Sequence, residues 1–285
     1  MEQLSRLRNR IVTVHELGQI IQAMRSLAAM RVQHAQAALP GIRKYAAIAG
    51  NAIVSVLPFA SVPDVARRAD RRRARILVVF CAEHGFVGDF NDVLLARAAE
   101  EMARHPTLLF LLGSRGADMA AERGLAVHWS HAMATQARGV LSVTRRLTPA
   151  LYGALGDGRP REVDLLFARY SAGAQWAVEA LRLLPPDLSA FEAPGQEAPL
   201  HNLPPDPLVA KLVEEYVLAE LTQVAMESLA SENGARLRAM EEANDNVIAL
   251  IEKLQSTEHQ LRQDEITTEL LDVVTGTMAQ TGAAV

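Results

Sequence analysis

From the first residues, apolar or small side chains recur at alternating steps of three and four: Leu4, Leu7, Ile11, Val14, Gly18, Ile21, then Arg25, Ala28, Val32, Ala35, Leu39 and Ile42. That is a heptad seam, the spacing that turns one stripe of a helix toward a partner helix. Gly18, Ala28 and Ala35 let a partner backbone come close, whereas Arg25 is costly there unless the seam opens. Pro40-Gly41 should kink or break the helix, since proline lacks an amide donor and glycine costs backbone entropy. Apolar spacing resumes through Tyr45, Ile48, Ala52 and Val56, so the pattern predicts one long helix with a flaw, ending near Pro58.

The pattern returns from about Asp206: Val209, Val213, Tyr216, Val217, Leu221 and Val224, then Leu237, Met240, Val247, Ile251, Leu254 and Leu261, then Ile266, Leu270 and Val274, with Gly234 as the interruption. At ~1.5 Å per residue each terminal helix would extend on the order of 80 to 110 Å, too long to lie inside a domain of this size. Two such helices satisfy their seams at least cost by packing on each other as an antiparallel coiled coil.

Between them the period changes. Arg75 to Ala82 and Thr107 to Leu112 are short continuous apolar runs, each followed by a helical pattern, and Leu125 to Trp129 is a weaker third. The helical segments Asn91 to Arg104, Ser114 to Arg123 and Thr135 to Leu155 suit right-handed crossovers over a parallel sheet. Val163 to Tyr170 and Trp176 to Leu184 read as a closing pair of strands. The expected fold class is a Rossmann-like α/β insert at 74–184 between coiled-coil arms at 1–58 and 208–281, with linkers at 59–73 and 185–207. The first linker is arginine-rich and the second holds seven prolines.

Composition narrows the function classes. The chain of 285 residues is 49% hydrophobic but only 5% aromatic, so its apolar mass is aliphatic, the stuff of helix seams. A formal charge of -4 gives no global attraction to nucleic acid or anionic lipid. Arg67, Arg68, Arg71, Arg72, Arg73 and Arg75 have no interleaved aromatic side chain to stack bases and read as a solvated linker. The lone Cys81 forms no internal disulfide, which suits a reducing compartment. Arg6, Arg8, Arg10 and Glu16 interrupt any signal-peptide or membrane-spanning run at the start, favouring a bacterial cytoplasmic protein over an organellar precursor.

Catalytic and ligand-binding patterns are weak. The loop Glu83 to Asn91 sits where a doubly wound sheet binds phosphate, but it carries only Gly85 and Gly88 and places a carboxylate at Asp89. A turn before a helix started by Asp89 or Asn91 fits better. Cys81 beside His84 could form a nucleophile and base, though a buried, inert thiol is the simpler reading. His128 and His131 are on or beside a strand, with no metal-ligand spacing. Glu241 and Glu242, like Asp264 and Glu265, are helix neighbours that diverge by about 100° and share no substrate. No catalytic residue, cofactor or metal is expected.

At this point particular residues resemble the gamma subunits of F-type ATP synthases along nearly the whole chain. Arg8-Asn9-Arg10-Ile11, Ile20 to Arg31 and Ala35-Gln36 are similar to that family's R-x-[RK]-I, I-T-x-A-M-x-x-V-A-A-x-[KR] and A-Q blocks. Ala230-Ser231-Glu232-Asn233-Gly234-Ala235-Arg236, Ala239-Met240, Ala243 to Asn246 and Arg262 to Leu270 are similar to A-S-E-x-x-A-R, A-M, A-T-D-N and R-Q-x-x-I-T-x-E-[IL]. His84 to Asn91 is a degraded D-R-G-L-C-G-x-F-N, and Gly113-Ser114-Arg115-Gly116 resembles G-x-[KR]-G. Leu17-Gly18-Gln19 replaces the usual T-Q-K, Glu241 a usual Lys, and Asn244 a usual Thr. These departures mark a divergent member, one reading being an alternate, sodium-pumping class.

The resemblance implies a non-catalytic central stalk, without nucleotide or other cofactor. It would turn inside a catalytic head of alpha and beta subunits, with an epsilon subunit and a membrane c-ring as further partners, on the cytoplasmic face of a bacterial inner membrane. It implies head contacts at Arg262, Gln263, Thr267 and Glu269, with Arg8, Arg10, Met24 and Arg25 nearby and Arg236 in the same interface set. The alternative from the residues alone is a Rossmann-like nucleotide-binding enzyme or regulator with helical extensions. A free-standing coiled-coil tether is disfavoured because a tether needs no sheet between its arms.

Overall fold

The computed structural model describes residues 2–61, 75–156, 162–171, 173–191 and 200–282. Arg67, Arg68, Arg71, Arg72 and Arg73 lie outside the described residues.

The first helix, α1, runs unbroken from Glu2 to Val56. Pro40 removes one backbone hydrogen bond, but buried Ala35 and Leu39 before it and Ala46, Ala49 and Ile53 after it hold the helix on course. The expected seam from Leu4 to Ile42 is the least exposed stripe of α1. Beyond it the structure corrects the sequence reading. The three-four alternation continues to Ala46, Ala49, Ile53 and Val56, whereas Tyr45 and Ile48 are 49% and 57% exposed. Tyr45 instead donates its hydroxyl hydrogen to Glu215 Oε2 at 2.8 Å.

The chain then forms β1 (Arg75–Phe80), α2 (Phe90–Arg104), β2 (Thr107–Leu112), α3 (Ser114–Glu122) and β3 (Val127–His131). It continues through α4 (Val140–Leu155), β4 (Val163–Ser171) and β5 (Gln175–Leu184) to α5 (Pro205–Gly282). The strands lie in the order β3-β2-β1-β4-β5. The first four pair in parallel, with Leu77 opposite Leu109 and Asp164, and β5 closes the edge antiparallel to β4. The weak third strand falls two residues later than its expected start, and α4 begins at Val140 after a turn at Ala137–Gly139 rather than at Thr135.

Alternation along β1 builds two cores. Ile76, Val78 and Phe80 face α4 and both long helices, meeting Leu147, Leu39, Leu221 and Leu229. Leu77, Val79 and Cys81 face α2 and α3, meeting Phe90, Leu94 and Ala120. Burial on both faces explains the continuous apolar runs that mark parallel strands in the sequence.

By mutual contact the chain forms two compact units. One is Leu27–Ala239, holding the sheet and the adjoining halves of both long helices. The other is Met1–Ser26 with Met240–Val285, a helix pair. In the latter, Val14, Ile21, Met240, Val247 and Leu254 are buried, and a Cβ on Gly18 would meet Val247 Cγ1 at 3.2 Å. Ile266, Leu270 and Val274 do not continue that seam as the sequence spacing suggested; all are exposed. The less exposed stripe runs from Leu261, a seam position already expected, to Glu265 in place of Ile266.

Candidate functional site at the switch point and along the helix pair

In an open parallel sheet, ligands settle outside the carboxyl ends of the strands where the strand order reverses. Here that point lies between β1 and β4, and α5 fills it. Ser228 Oγ donates to the carbonyl of Phe80, the last residue of β1, at 3.0 Å. Ser231 Oγ donates to Ala168 O of β4 at 2.8 Å. Gly234 lets the helix lie this close, since a Cβ there would stand 2.8 Å from Tyr170 Cε2. The interruption seen in the sequence is thus a packing requirement.

One turn further along α5, Glu232 is 3% and Arg236 5% exposed, and they pair at 2.7 Å. The Arg236 guanidinium also donates to His84 O and Gly85 O at 3.2 Å and to Asn233 Oδ1 at 3.2 Å. Burial pushes the Glu232 carboxyl above the usual carboxylate range, opposed by Arg236, the Glu83 amide and His84. A buried pair of this kind adds little net stability but is damaging to break, because the survivor is left charged in a low-dielectric site. Arg236 lies in the interior of the described chain, where its guanidinium holds the loop after β1 to α5.

The loop after β1 is tied down from several sides. Glu83 Oε2 accepts from Ser114 N at 3.0 Å and Met133 N at 2.7 Å, and Oε1 accepts from Ser114 Oγ at 2.8 Å. One carboxylate thus joins the chain leaving β1, β2 and β3. Asn91 does not cap α2 as the sequence suggested; its Oδ1 accepts from Ala82 N at 2.8 Å, and Asp89 makes no side-chain cap either. Gly113 and Gly116 are required by Cys81 and Ala82. A Cβ at Gly113, whose φ is +107°, would lie 2.5 Å from Cys81 O, and one at Gly116 would lie 2.1 Å from Cys81 Cβ. Burial, aided by the Glu232 charge, pushes the Cys81 thiol up to about 12, so it stays a neutral thiol at physiological pH. Among the described residues no His, Cys, Asp and Glu cluster of three could hold a metal.

Glu227, also on α5, is buried and paired with Arg43 of α1 and with Arg169 of β4, the latter at 3.4 Å. Nothing in the residue spacing singled out Ser228, Ser231, Glu227 or Glu83; for the three on α5 the available signal was a cluster of small hydroxyls and an acid inside an otherwise apolar helical stripe.

Along the helix pair, Arg8 Nε donates to Glu258 Oε1 at 2.7 Å and Arg25 Nη2 to Glu241 Oε1 at 3.0 Å. Arg25 escapes the cost of a charged seam position by standing partly in solvent beside this partner. Arg10, Arg262, Gln263, Thr267 and Glu269 are exposed and Met24 is half-buried. Thr267 Oγ1 donates to Gln263 O of its own helix at 2.8 Å.

A family model described as ATP synthase matches residues 3–279. The ATP synthase gamma chain of Parafrankia sp. (strain EAN1pec) is 30% identical, covering 99% of both chains. The chain belongs to the ATP synthase gamma-chain family. The gamma chain of Methylobacterium sp. (strain 4-46) is 27% identical over 98% of this chain and 100% of its own length. In fold, this gamma-family chain is similar to a chain of the Euglena gracilis mitochondrial ATP synthase (OSCP/F1/c-ring, rotational state 3), with a TM-score of 0.67 at 16% identity, covering 100% of this chain and 97% of that one. A chain from the central stalk and c-ring of the Tetrahymena thermophila mitochondrial ATP synthase gives 0.59 at 18% identity, covering 79% and 99%. Long terminal helices around a mixed, mainly parallel sheet are the shared gamma fold. Glu241 is paired in this chain with Arg25, so it carries its own counter-charge.

Proposed function

We propose that this gamma chain works as the central rotor stalk of an F-type ATP synthase. It turns within a head of alpha and beta subunits, stands with an epsilon subunit on a membrane c-ring, and couples proton or sodium flow to ATP synthesis or hydrolysis. Catalysis belongs to the head. The site lies at the cytoplasmic face of a bacterial inner membrane, held there by the complex; among the described residues no helix is long and apolar enough to cross a membrane.

The observation that carries this reading is the pair of serine-to-carbonyl hydrogen bonds that seats α5 across the sheet's switch point. A sheet whose ligand crevice is filled by its own helix serves as a mount for that helix, which supports a mechanical rather than a nucleotide-binding role. For head contacts we propose the exposed Arg10, Arg262, Gln263, Thr267 and Glu269, with Met24 beside them. Arg8 and Arg25 would contribute through ion pairs that also tie the two helices together.

Reassembly tests this. The purified chain is expected to lack ATPase activity and to raise or reshape that of the alpha and beta subunits on mixing. Failure to associate with them would defeat the proposal. Saturable, tight nucleotide binding by the isolated chain would favour the Rossmann-like regulator instead.

A further inference from the structure

The segment joining β5 to α5 contains a built turn. Asp187 Oδ1 accepts from Ser189 N at 3.0 Å and from Ser189 Oγ at 2.6 Å, and Phe191 N donates to Leu188 O at 3.2 Å. The turn presents Phe191 to both long helices. Its ring meets Tyr216 of α5 edge-on, with centroids 5.9 Å apart and planes at 86°. It also covers Gly50 of α1, where an added Cβ would lie 2.2 Å from ring atoms Cε1 and Cζ. Ala49, Ile53 and Tyr216 form a small buried cluster, with Leu188 and Phe191 packed against it.

Glycine inside a helix costs stability relative to alanine, so a buried one needs a cause. The ring of Phe191 supplies it. We propose that Phe191 and Gly50 form a peg and hole that strap the chain leaving the sheet edge onto α1 and α5. The strap is a second fastening of the sheet to these helices, separate from the serine contacts at the switch point. It requires only that the chain fold as described, and so stands apart from the rotor reading.

The test is a reversal of sign, read by thermal melting of the full chain. Gly50→Ala is expected to lower Tm when Phe191 is present, because the methyl strikes the ring. In a Phe191→Ala background the same Gly50→Ala change is expected to raise Tm, because only helix propensity remains. A rise in both backgrounds overturns the proposal. Should Gly50→Ala alone fail to fold, the Phe191→Ala chain still decides by hydrogen exchange. Amides around Ile53 and Tyr216 are expected to exchange about two- to tenfold faster, the factor an aromatic pair contributes. Unchanged exchange there overturns the strap.

Discussion

Ser231 donates its hydroxyl hydrogen to the carbonyl of Ala168 at 2.8 Å while sharing it with Glu227 O of its own helix at 3.0 Å. One side chain thus ties the C-terminal helix to a central strand, with both groups buried. Replacing it with alanine leaves the buried Ala168 carbonyl without this donor. Ser231→Ala is expected to cost about 1–3 kcal/mol of unfolding free energy, measured by chemical denaturation. The paired change at Ser228, which holds Phe80 O in the same way, should cost a similar amount. A loss confined to a few tenths would show that α5 sits on the sheet by apolar packing alone.

Gly116 allows α3 to lie directly on Cys81, and its absent side chain is the reason the two fit. With a Cβ 2.1 Å from Cys81 Cβ and 2.8 Å from its sulfur, Gly116→Ala is expected to destabilise by roughly 1–3 kcal/mol, the usual range for an overpacked core. Adding Cys81→Ala removes only the sulfur, so the Cβ clash and most of the loss should persist. Full recovery in the double variant would show that sulfur, rather than backbone approach, sets the spacing.

The long helices were legible because a heptad seam is a local pattern, and the parallel sheet because strands buried on both faces read as unbroken apolar runs. Errors arose where two apolar choices competed. After Ile42 the larger Tyr45 drew the pattern away from Ala46, and near the C-terminus Ile266 did the same against Glu265. The switch-point contacts were not legible at all, since Ser228 and its acceptor are 148 residues apart and Ser231 and its acceptor 63. Arg236 was visible as part of a motif. Its interior role depends on the carbonyls of His84 and Gly85, which no spacing rule brings to it.

Glu220 gives a pH-dependent prediction. Burial raises its carboxyl above the ordinary value, and the Arg169 charge only partly offsets this. A carboxyl with a higher pKa in the folded state binds protons more readily there than when unfolded. It therefore disfavours the folded state once pH rises past its unfolded value, and exerts no such effect below that value. Glu220→Gln, which removes the charge, is expected to raise Tm at neutral pH, with the gain fading below about pH 4.3, the free glutamate value. A gain that persists at pH 3 would assign the effect to packing.

Arg25 and Glu241 offer the cleanest test of how much an ion pair across the two helices holds them together. Their side chains are 40% and 44% exposed, so the coupling should be modest, about 0.2–1 kcal/mol. Arg25→Glu alone and Glu241→Arg alone each place like charges together and should lower Tm. The exchanged pair should recover most of the loss, and the recovery should shrink in 1 M salt, where screening is nearly complete within a few ångström. The same variants separate an intrachain role from a contact with the head. If Arg25 acts by holding Glu241, ATPase activity reassembled with alpha and beta subunits recovers along with Tm in the exchanged pair. If Arg25 reaches an acid on the head, Tm recovers and the activity does not.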